Sequence, residues 1–230
     1  MAKTINLSVR YNLLAFQKHI HDDPHHRYRS WEHCYEYFRK RDSLKTEQEI
    51  DSASLHLAFY LASWGMYRGS SVLIWKDYKV HTAAVRALLD DQYKELWRID
   101  FGAITPQRAE VGILFDLIDR LRGVYREIAT RVNGRDSQRI PSDTLISKIL
   151  LGTLACTPAY DRLVVNGIRF INEFPATFSR RNYLACIQFY QSRLKSFEAA
   201  RGSVLLRHIN YPAMKLVDMY FWSVGNQLEP

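Results

Sequence analysis

Residues 147–169 have the sequence SKILLGTLACTPAYDRLVVNGIR, which predicts two helices joined by a turn at Pro158. The first helix carries Lys148 and can be capped by Ser142 or Asp143, and Asp161 opens the second apolar run. Aspartate is favoured at a helix N-terminus because its carboxylate accepts hydrogen bonds from free backbone amides and is stabilised by the helix dipole. The stretch therefore predicts a lysine and a held carboxylate at opposite ends of one helix-turn-helix unit.

Helical patterns continue on both sides of this stretch. Thr46 precedes a largely apolar segment with acids in its first turn, and Thr105 with Pro106 forms a cap and first-turn pair before QRAEVGILFDLIDRLRGVYREIATRV. We predict further helices over residues 5–20, 29–41, 180–200 and 212–225. Residues 72–75, VLIW, could form a strand by composition, but no alternating partner strand is present, so we expect helix. The predicted fold class is all-α.

The length of 230 residues permits one globular multi-helix domain or two closely packed helical subdomains. A single domain over residues 1–230 is the simpler interpretation. A subdomain boundary would fall near residues 133–142, where turn-forming and charged residues accumulate.

The composition favours an anionic partner. There are 32 basic and 24 acidic side chains, which gives a net charge of +8. Such an excess favours contact with nucleic acid, while phosphorylated small molecules and acidic proteins remain alternatives.

The three cysteines are an odd number without metal-site spacing, which fits buried thiols in a reducing cytoplasm. The N-terminus lacks a long apolar leader, and no apolar run is long enough to span a membrane. We expect a soluble, cytoplasmic protein with no membrane partner.

Several common catalytic motifs are missing from the sequence. It contains no phosphate-binding GxxxxGK[ST] loop, no GxGxxG after a strand, no GxSxG elbow and no HExxH. Nucleotide hydrolysis, dinucleotide redox chemistry and simple serine hydrolysis are therefore disfavoured.

Lys148, Pro158 and Asp161 give the stretch a local resemblance to the helix-hairpin-helix DNA glycosylases, over about a tenth of the chain. In that family a lysine-bearing helix leads through a proline-containing turn to an aspartate that heads the next helix. The chain departs from the family where RIPSDTLIS replaces the glycine-rich hairpin, and the four-cysteine iron–sulfur signature of some members is absent. The resemblance implies a DNA-processing enzyme that cleaves a base N-glycosidic bond.

The expected role of Asp161 is to stabilise positive charge that develops on the sugar or to orient the attacking water. Lys148 could attack the sugar carbon as an amine, or pair with a phosphate or with Asp161. In a purely structural interpretation, Asp161 only caps a helix and Lys148 is a surface charge.

Other residues could line a pocket or bind nucleic acid. The WGMYRGS segment offers Trp64, Tyr67 and Arg68 at a helix end beside two glycines, although the default is a simple helix end with its aromatic residues in the core. Further candidates are Tyr160 and Arg162 beside Asp161, and Arg180 and Arg181 in a basic C-terminal third.

The histidines between His19 and His26 match no metal motif and are expected in a solvated loop, so we assign no metal or cofactor.

Two alternatives to an enzyme remain. One is a non-catalytic basic helical module that binds nucleic acid. The other is an oligomeric interaction protein, a homo-oligomer formed through an exposed C-terminal helix, although burial of that helix in the core is the default.

Overall fold

The computed structural model describes residues 4–69, 71–102, 108–132, 134–137, 140–203 and 209–229. Within these residues the predicted all-α class is confirmed. The α-helices are α1 (Val9–Asp22), α2 (Arg29–Phe38), α3 (Glu47–Ser63), α4 (Thr82–Leu89), α5 (Arg108–Ile128), α6 (Asp143–Thr153), α7 (Arg162–Ile171), α8 (Arg180–Ser192), α9 (Leu194–Arg201) and α10 (Ala213–Gln227). Short 3₁₀ helices cover Arg41–Ser43, Val72–Trp75, Tyr78–His81 and Asp91–Arg98.

By its internal contacts the chain divides into two compact units that are both discontinuous in sequence. The terminal unit comprises Met1–His26, Asp100–Pro106 and Ala155–Pro230, and the central unit comprises Arg27–Ile99 and Gln107–Leu154. The segment 133–142 falls inside the central unit.

Three predicted helix starts are confirmed by their capping contacts. The Thr46 hydroxyl accepts from the Glu49 amide, and the Glu49 carboxylate accepts from the Thr46 amide, which is a complete capping box. Ser142 caps α6 through the Leu145 amide, and Asp161 caps α7 through the Val164 amide. The predicted Thr105–Pro106 cap lies outside the described residues.

Three local features differ from the sequence predictions. The helix expected over residues 180–200 is interrupted at Arg193, which gives α8 and α9. The loop expected after α5 contains a small antiparallel hairpin, in which Arg131 pairs with Asp136 and Val132 with Arg135. Residues 72–75 are helical as predicted, but as a single 3₁₀ turn.

The core of the terminal unit is built around α10. All residues from Ala213 to Gly225 are buried, which confirms the expected core helix. Helix α7 packs closely on it, because Gly167 allows the backbone of α7 to lie against Phe221, and Gly225 allows α10 to lie against Leu163. These residues are covered by the chain's own helices, so they offer no exposed apolar face to a second copy.

The core of the central unit lies between α2, α3, α5 and α6. Trp31 is buried and donates from Nε1 to the Leu151 carbonyl oxygen at 2.8 Å, which ties α2 to α6. Helix α3 approaches α6 where Gly152 faces the Tyr60 ring, at a distance that leaves no room for a Cβ.

The three cysteines, Cys34, Cys156 and Cys186, are free and buried, as predicted. In the described part of the chain, no helix combines the length and hydropathy that crossing a membrane requires.

Candidate functional site

Asp161 lies at the N-terminus of α7 in the terminal unit. Its Oδ1 accepts a hydrogen bond from the Val164 amide at 3.2 Å, and the residue is half-buried. An aspartate in this position satisfies a free backbone amide and places negative charge at the positive end of the helix dipole. The carboxylate is therefore held in one place and is partly open to solvent.

A buried ion pair supports the turn that leads to Asp161. Lys215 donates from Nζ to Oδ2 of Asp218 at 2.8 Å, and Oδ1 of Asp218 accepts from the Ala159 amide at 2.9 Å. Burial raises the pKa of Asp218, Lys215 opposes that rise, and the negative charge of Asp161 adds to it. The Lys215 ammonium also lies 4.9 Å from the centre of the Phe16 ring. The turn is thus anchored to the first two turns of α10, at a point two residues before the candidate catalytic carboxylate.

The connection between α6 and α7 also contains an unusual backbone conformation. Ala155 has a φ of 50°, in the left-handed region that a residue with a Cβ adopts at a cost of about 1 kcal/mol. The residue is buried, so the surrounding structure must stabilise this conformation.

Lys148 lies in the central unit, whereas Asp161 belongs to the terminal unit. Lys148 is 4% exposed and donates from Nζ to the carbonyl oxygen of Trp64 at 3.0 Å. Its ammonium is 5.4 Å from the centre of the Trp64 ring. The interpretation of Lys148 as a surface charge is therefore wrong, because the side chain caps the C-terminal end of α3 from inside the unit.

The two residues beside Asp161 have different environments. Tyr160 is buried, and its ring lies 4.8 Å from that of Phe178. Arg162 is exposed, and its Nη1 donates hydrogen bonds to both carboxylate oxygens of Glu229, at 2.6 and 2.7 Å. That ion pair raises the pKa of Arg162. A ligand phosphate at Arg162 would compete with Glu229.

The WGMYRGS segment combines both interpretations made from the sequence. Gly65 and Gly69 have positive φ values of 77° and 57°, as expected for the turn that ends α3. Trp64 stacks on Tyr28 with ring centres 4.7 Å apart, so this aromatic ring is part of the packing. Arg68 is exposed and lines a cavity of about 750 Å³, which lies wholly within the central unit.

Tyr67 takes part in a hydrogen-bonded chain that the sequence did not indicate. Its hydroxyl is 2.7 Å from Nε2 of His81, and Nδ1 of His81 is 2.6 Å from the hydroxyl of Tyr125, which lines the same cavity. His81 is fully buried, and this burial lowers its pKa to about 4. The imidazole is therefore neutral at pH 7, with one ring nitrogen as donor and the other as acceptor.

The predicted basic surface of the C-terminal third is smaller than its sequence indicates. Arg193 pairs with Glu173 and stacks over Phe189, while Arg201 pairs with Glu198. The aromatic residues that alternate with these basic residues in the sequence are buried, namely Tyr183, Phe189 and Tyr190. A further arginine of this third, Arg207, lies outside the described residues. Arg180 and Arg181 are exposed at the start of α8.

The central unit has a second basic surface, which the sequence did not predict. A cleft of about 450 Å³ brings four cationic side chains together with Tyr35 and Trp97 and with two acids, Asp42 and Asp91. The four cations are Arg39, Arg41, Lys94 and Arg98. They come from segments more than fifty positions apart, so no local charge run reveals them. We call this surface the basic cleft.

The histidine-rich segment shows no metal-binding arrangement. His19 and His21 lie in the last turns of α1, and the His19 and His26 rings stack with centres 5.6 Å apart. Over the described ranges, no group of three or more histidine, cysteine, aspartate or glutamate residues is suited to hold a metal ion.

Lys215 and Asp218 could have been found from the sequence. They stand three residues apart within KLVDMYFWSVG, and charged residues inside so apolar a helix are expected to pair. The Tyr67–His81–Tyr125 chain has no such signal, because its members are isolated in the sequence.

Comparison with known proteins identified no relative. Neither a family model, nor a curated protein, nor a solved structure matches the chain.

Proposed function

We propose that the protein is a DNA-processing enzyme of glycosylase type, in which Asp161 assists cleavage of a base N-glycosidic bond. The observation that carries this proposal is the fixed, half-exposed carboxylate of Asp161 at the N-terminus of α7. Cleavage of the bond builds positive charge on the sugar, and a carboxylate beside the sugar would stabilise that charge or orient the attacking water.

The surroundings of Asp161 support a role beyond capping. A helix cap requires only one carboxylate oxygen and one amide. Here the turn before the cap is also anchored by a buried ion pair through the Ala159 amide, and the connection contains the left-handed Ala155. Fixing of this kind is typical of residues that must be held in a productive geometry.

For Lys148 we propose a positioning role. An attacking amine needs a free lone pair, whereas the Lys148 ammonium donates to the Trp64 carbonyl oxygen and faces the Trp64 ring. We therefore assign the nucleophile to water, with Lys148 holding the end of α3 and the WGMYRGS segment in place.

The basic cleft supports contact with the DNA backbone. Lys94 and Arg98 are exposed, and neither forms an ion pair or side-chain hydrogen bond within the described ranges. Such side chains would neutralise phosphates without reading the base sequence. The same cleft favours a second candidate function, a non-catalytic module that binds nucleic acid.

The test compares base release by the native protein with base release by the Asp161→Asn variant. Free bases released from single- and double-stranded DNAs with plain, deaminated, oxidised or alkylated bases are measured by mass spectrometry, beside an abasic-site assay. We expect the native protein to release at least one base, and Asp161→Asn to lower that rate at least about 100-fold, since it removes the charge that stabilises the transition state. Asparagine also caps helices well, so the fold should persist.

The matched control is Asp77→Asn, because Asp77 caps a 3₁₀ helix of the central unit through the Lys79 amide. This variant should release bases at the native rate. Equal rates for Asp161→Asn and the native protein would disprove the role of Asp161. Salt-sensitive DNA binding without release of any base would select the non-catalytic module.

A further inference from the structure

The cavity in the central unit has the size and lining of a site for a small organic molecule. Its volume of about 750 Å³ falls within the range of known ligand pockets. Most of the wall is apolar, with side chains that include Met66, Leu73, Ile128 and Leu145. It would therefore bury a flat or branched apolar body.

Arg68 gives this apolar cavity a positive charge. Its guanidinium folds back over Gly65, where an added Cβ would lie only 2.9 Å from Nε. Among the described residues the guanidinium has no hydrogen-bond acceptor or acidic partner, in contrast to Arg41, Arg86 and Arg120, which are all paired. An unpaired guanidinium at the wall of an apolar cavity is suited to a carboxylate, sulfonate or phosphate.

A second polar residue of the wall is held by hydrogen bonds. Tyr125 lines the cavity, and its hydroxyl is fixed by His81, which Tyr67 holds in turn. When Nδ1 of His81 carries the proton, it donates to the Tyr125 oxygen, and the Tyr125 hydroxyl hydrogen is then free to donate to another acceptor. The hydroxyl of this cavity-lining tyrosine can thus act as a donor without any net charge on the chain.

We propose that this cavity is a binding site for an organic anion, a molecule with an apolar ring system and one acidic group that pairs with Arg68. Asp161 is not among the lining residues, so the proposed ligand and the proposed reaction use different side chains. The ligand class is set by the wall: apolar side chains hold the ring system and the guanidinium selects the anion.

The test compares two fluorescent probes that share one ring system and differ by a single sulfonate group. One is 8-anilinonaphthalene-1-sulfonate, and the other is its uncharged parent, N-phenyl-1-naphthylamine. We expect saturable binding of the sulfonate at one site per chain. Arg68→Gln should raise the Kd of the sulfonate at least about tenfold and change the Kd of the uncharged probe less than about twofold, because only the sulfonate loses a charge-assisted contact.

Arg126→Gln is the matched control, since Arg126 is exposed on α5 but does not line the cavity. It should leave both affinities unchanged. A second variant, Ile140→Asp, adds a negative charge at an exposed lining residue and should weaken the sulfonate more than the uncharged probe. Its control is Ile74→Asp, at an exposed residue outside the lining.

The proposal is overturned if the sulfonate does not bind saturably, or if Arg68→Gln leaves its affinity unchanged. It is also overturned if Arg68→Gln weakens both probes equally, since the effect would then be a loss of structure. No nucleic acid is present in this experiment, so its failure is distinct from a failure of the Asp161 proposal.

Discussion

Lys148 lies inside the central unit with its positive charge directed at a carbonyl oxygen and an aromatic ring. Burial of an ammonium is costly unless hydrogen bonds and electrostatic partners replace water. The Trp64 carbonyl supplies an acceptor that α3 would otherwise leave unsatisfied at its end, and the Trp64 ring supplies the attractive face. One side chain therefore couples the end of α3 to the middle of α6.

His81 has no charged partner in its hydrogen-bonded chain, because both of its ring nitrogens face tyrosine hydroxyls. Burial lowers the pKa of His81 from 6.5 to about 4. Below pH 6.5 the unfolded chain binds a proton that the folded chain does not, so the free energy of unfolding falls as the pH falls towards 4. The linked loss is on the order of 3 kcal/mol.

We predict that His81→Gln removes this part of the pH dependence. Urea denaturation at intervals from pH 7 to pH 4 should show a smaller loss of stability for the variant than for the native protein, because glutamine does not titrate. His25→Gln, at an exposed position, should keep the native slope. Parallel curves for His81→Gln and the native protein would contradict the prediction.

At the scale of elements, α7 and α10 are held at a distance that only glycine permits. An ideal Cβ on Gly167 would lie 2.1 Å from the Phe221 carbonyl oxygen, and one on Gly225 would lie 2.0 Å from that of Leu163. Both obstacles are backbone atoms, so relief requires one helix to move.

We therefore predict that Gly167→Ala lowers the free energy of unfolding by at least about 2 kcal/mol, measured by urea denaturation. Gly123→Ala in α5 provides the contrast, since a Cβ there meets open space. Alanine is the better helix former, so this variant should be about 0.5–1 kcal/mol more stable than the native protein. If both variants changed the free energy of unfolding by the same amount, helix propensity and not the contact between α7 and α10 would explain the effect.

Element boundaries that depend on local chemistry could be predicted, and those that depend on distant residues could not. Thr46, Ser142 and Asp161 each cap a helix as the sequence indicates, because a cap is made within four residues. The break at Arg193 has no glycine or proline to mark it. Arg193 instead pairs with Glu173 and stacks over Phe189.

The residues of the candidate site also fall into those that the sequence predicts and those that it does not. The position of Asp161 at the start of α7 follows from the sequence. The sequence offered Arg68 for a pocket wall only as one of two interpretations, and the structure places it in the wall of a cavity. The burial of Lys148 does not, because its acceptor at Trp64 is remote in the sequence. Composition also cannot tell paired from unpaired arginines, and this distinction decides where an anion can bind.

At the scale of the whole molecule, the net charge is +8, but only some of the basic side chains are available to bind an anion. Many arginines are engaged by the chain's own acids, among them Arg86 with Glu47 and Arg122 with Asp119 and Asp143. Such pairs are worth little to stability at the surface, but a phosphate must displace the acid before it can bind. The basic side chains outside such pairs, Lys94 and Arg98 in particular, are the better candidates for DNA contact.

This distribution of charge predicts a specific salt dependence of DNA binding. The logarithm of the binding constant should fall linearly with the logarithm of salt concentration, with a slope set by the number of phosphates neutralised. The double variant Lys94→Gln and Arg98→Gln should reduce that slope by about 2, or about 1 for each lost contact, as measured by fluorescence anisotropy with a labelled duplex. The double variant Arg86→Gln and Arg120→Gln removes the same charge from two paired residues, and its slope should stay close to the native value. Equal slopes for the double variant and the native protein would exclude the basic cleft from the interface, because each phosphate contact releases counterions whatever the DNA sequence.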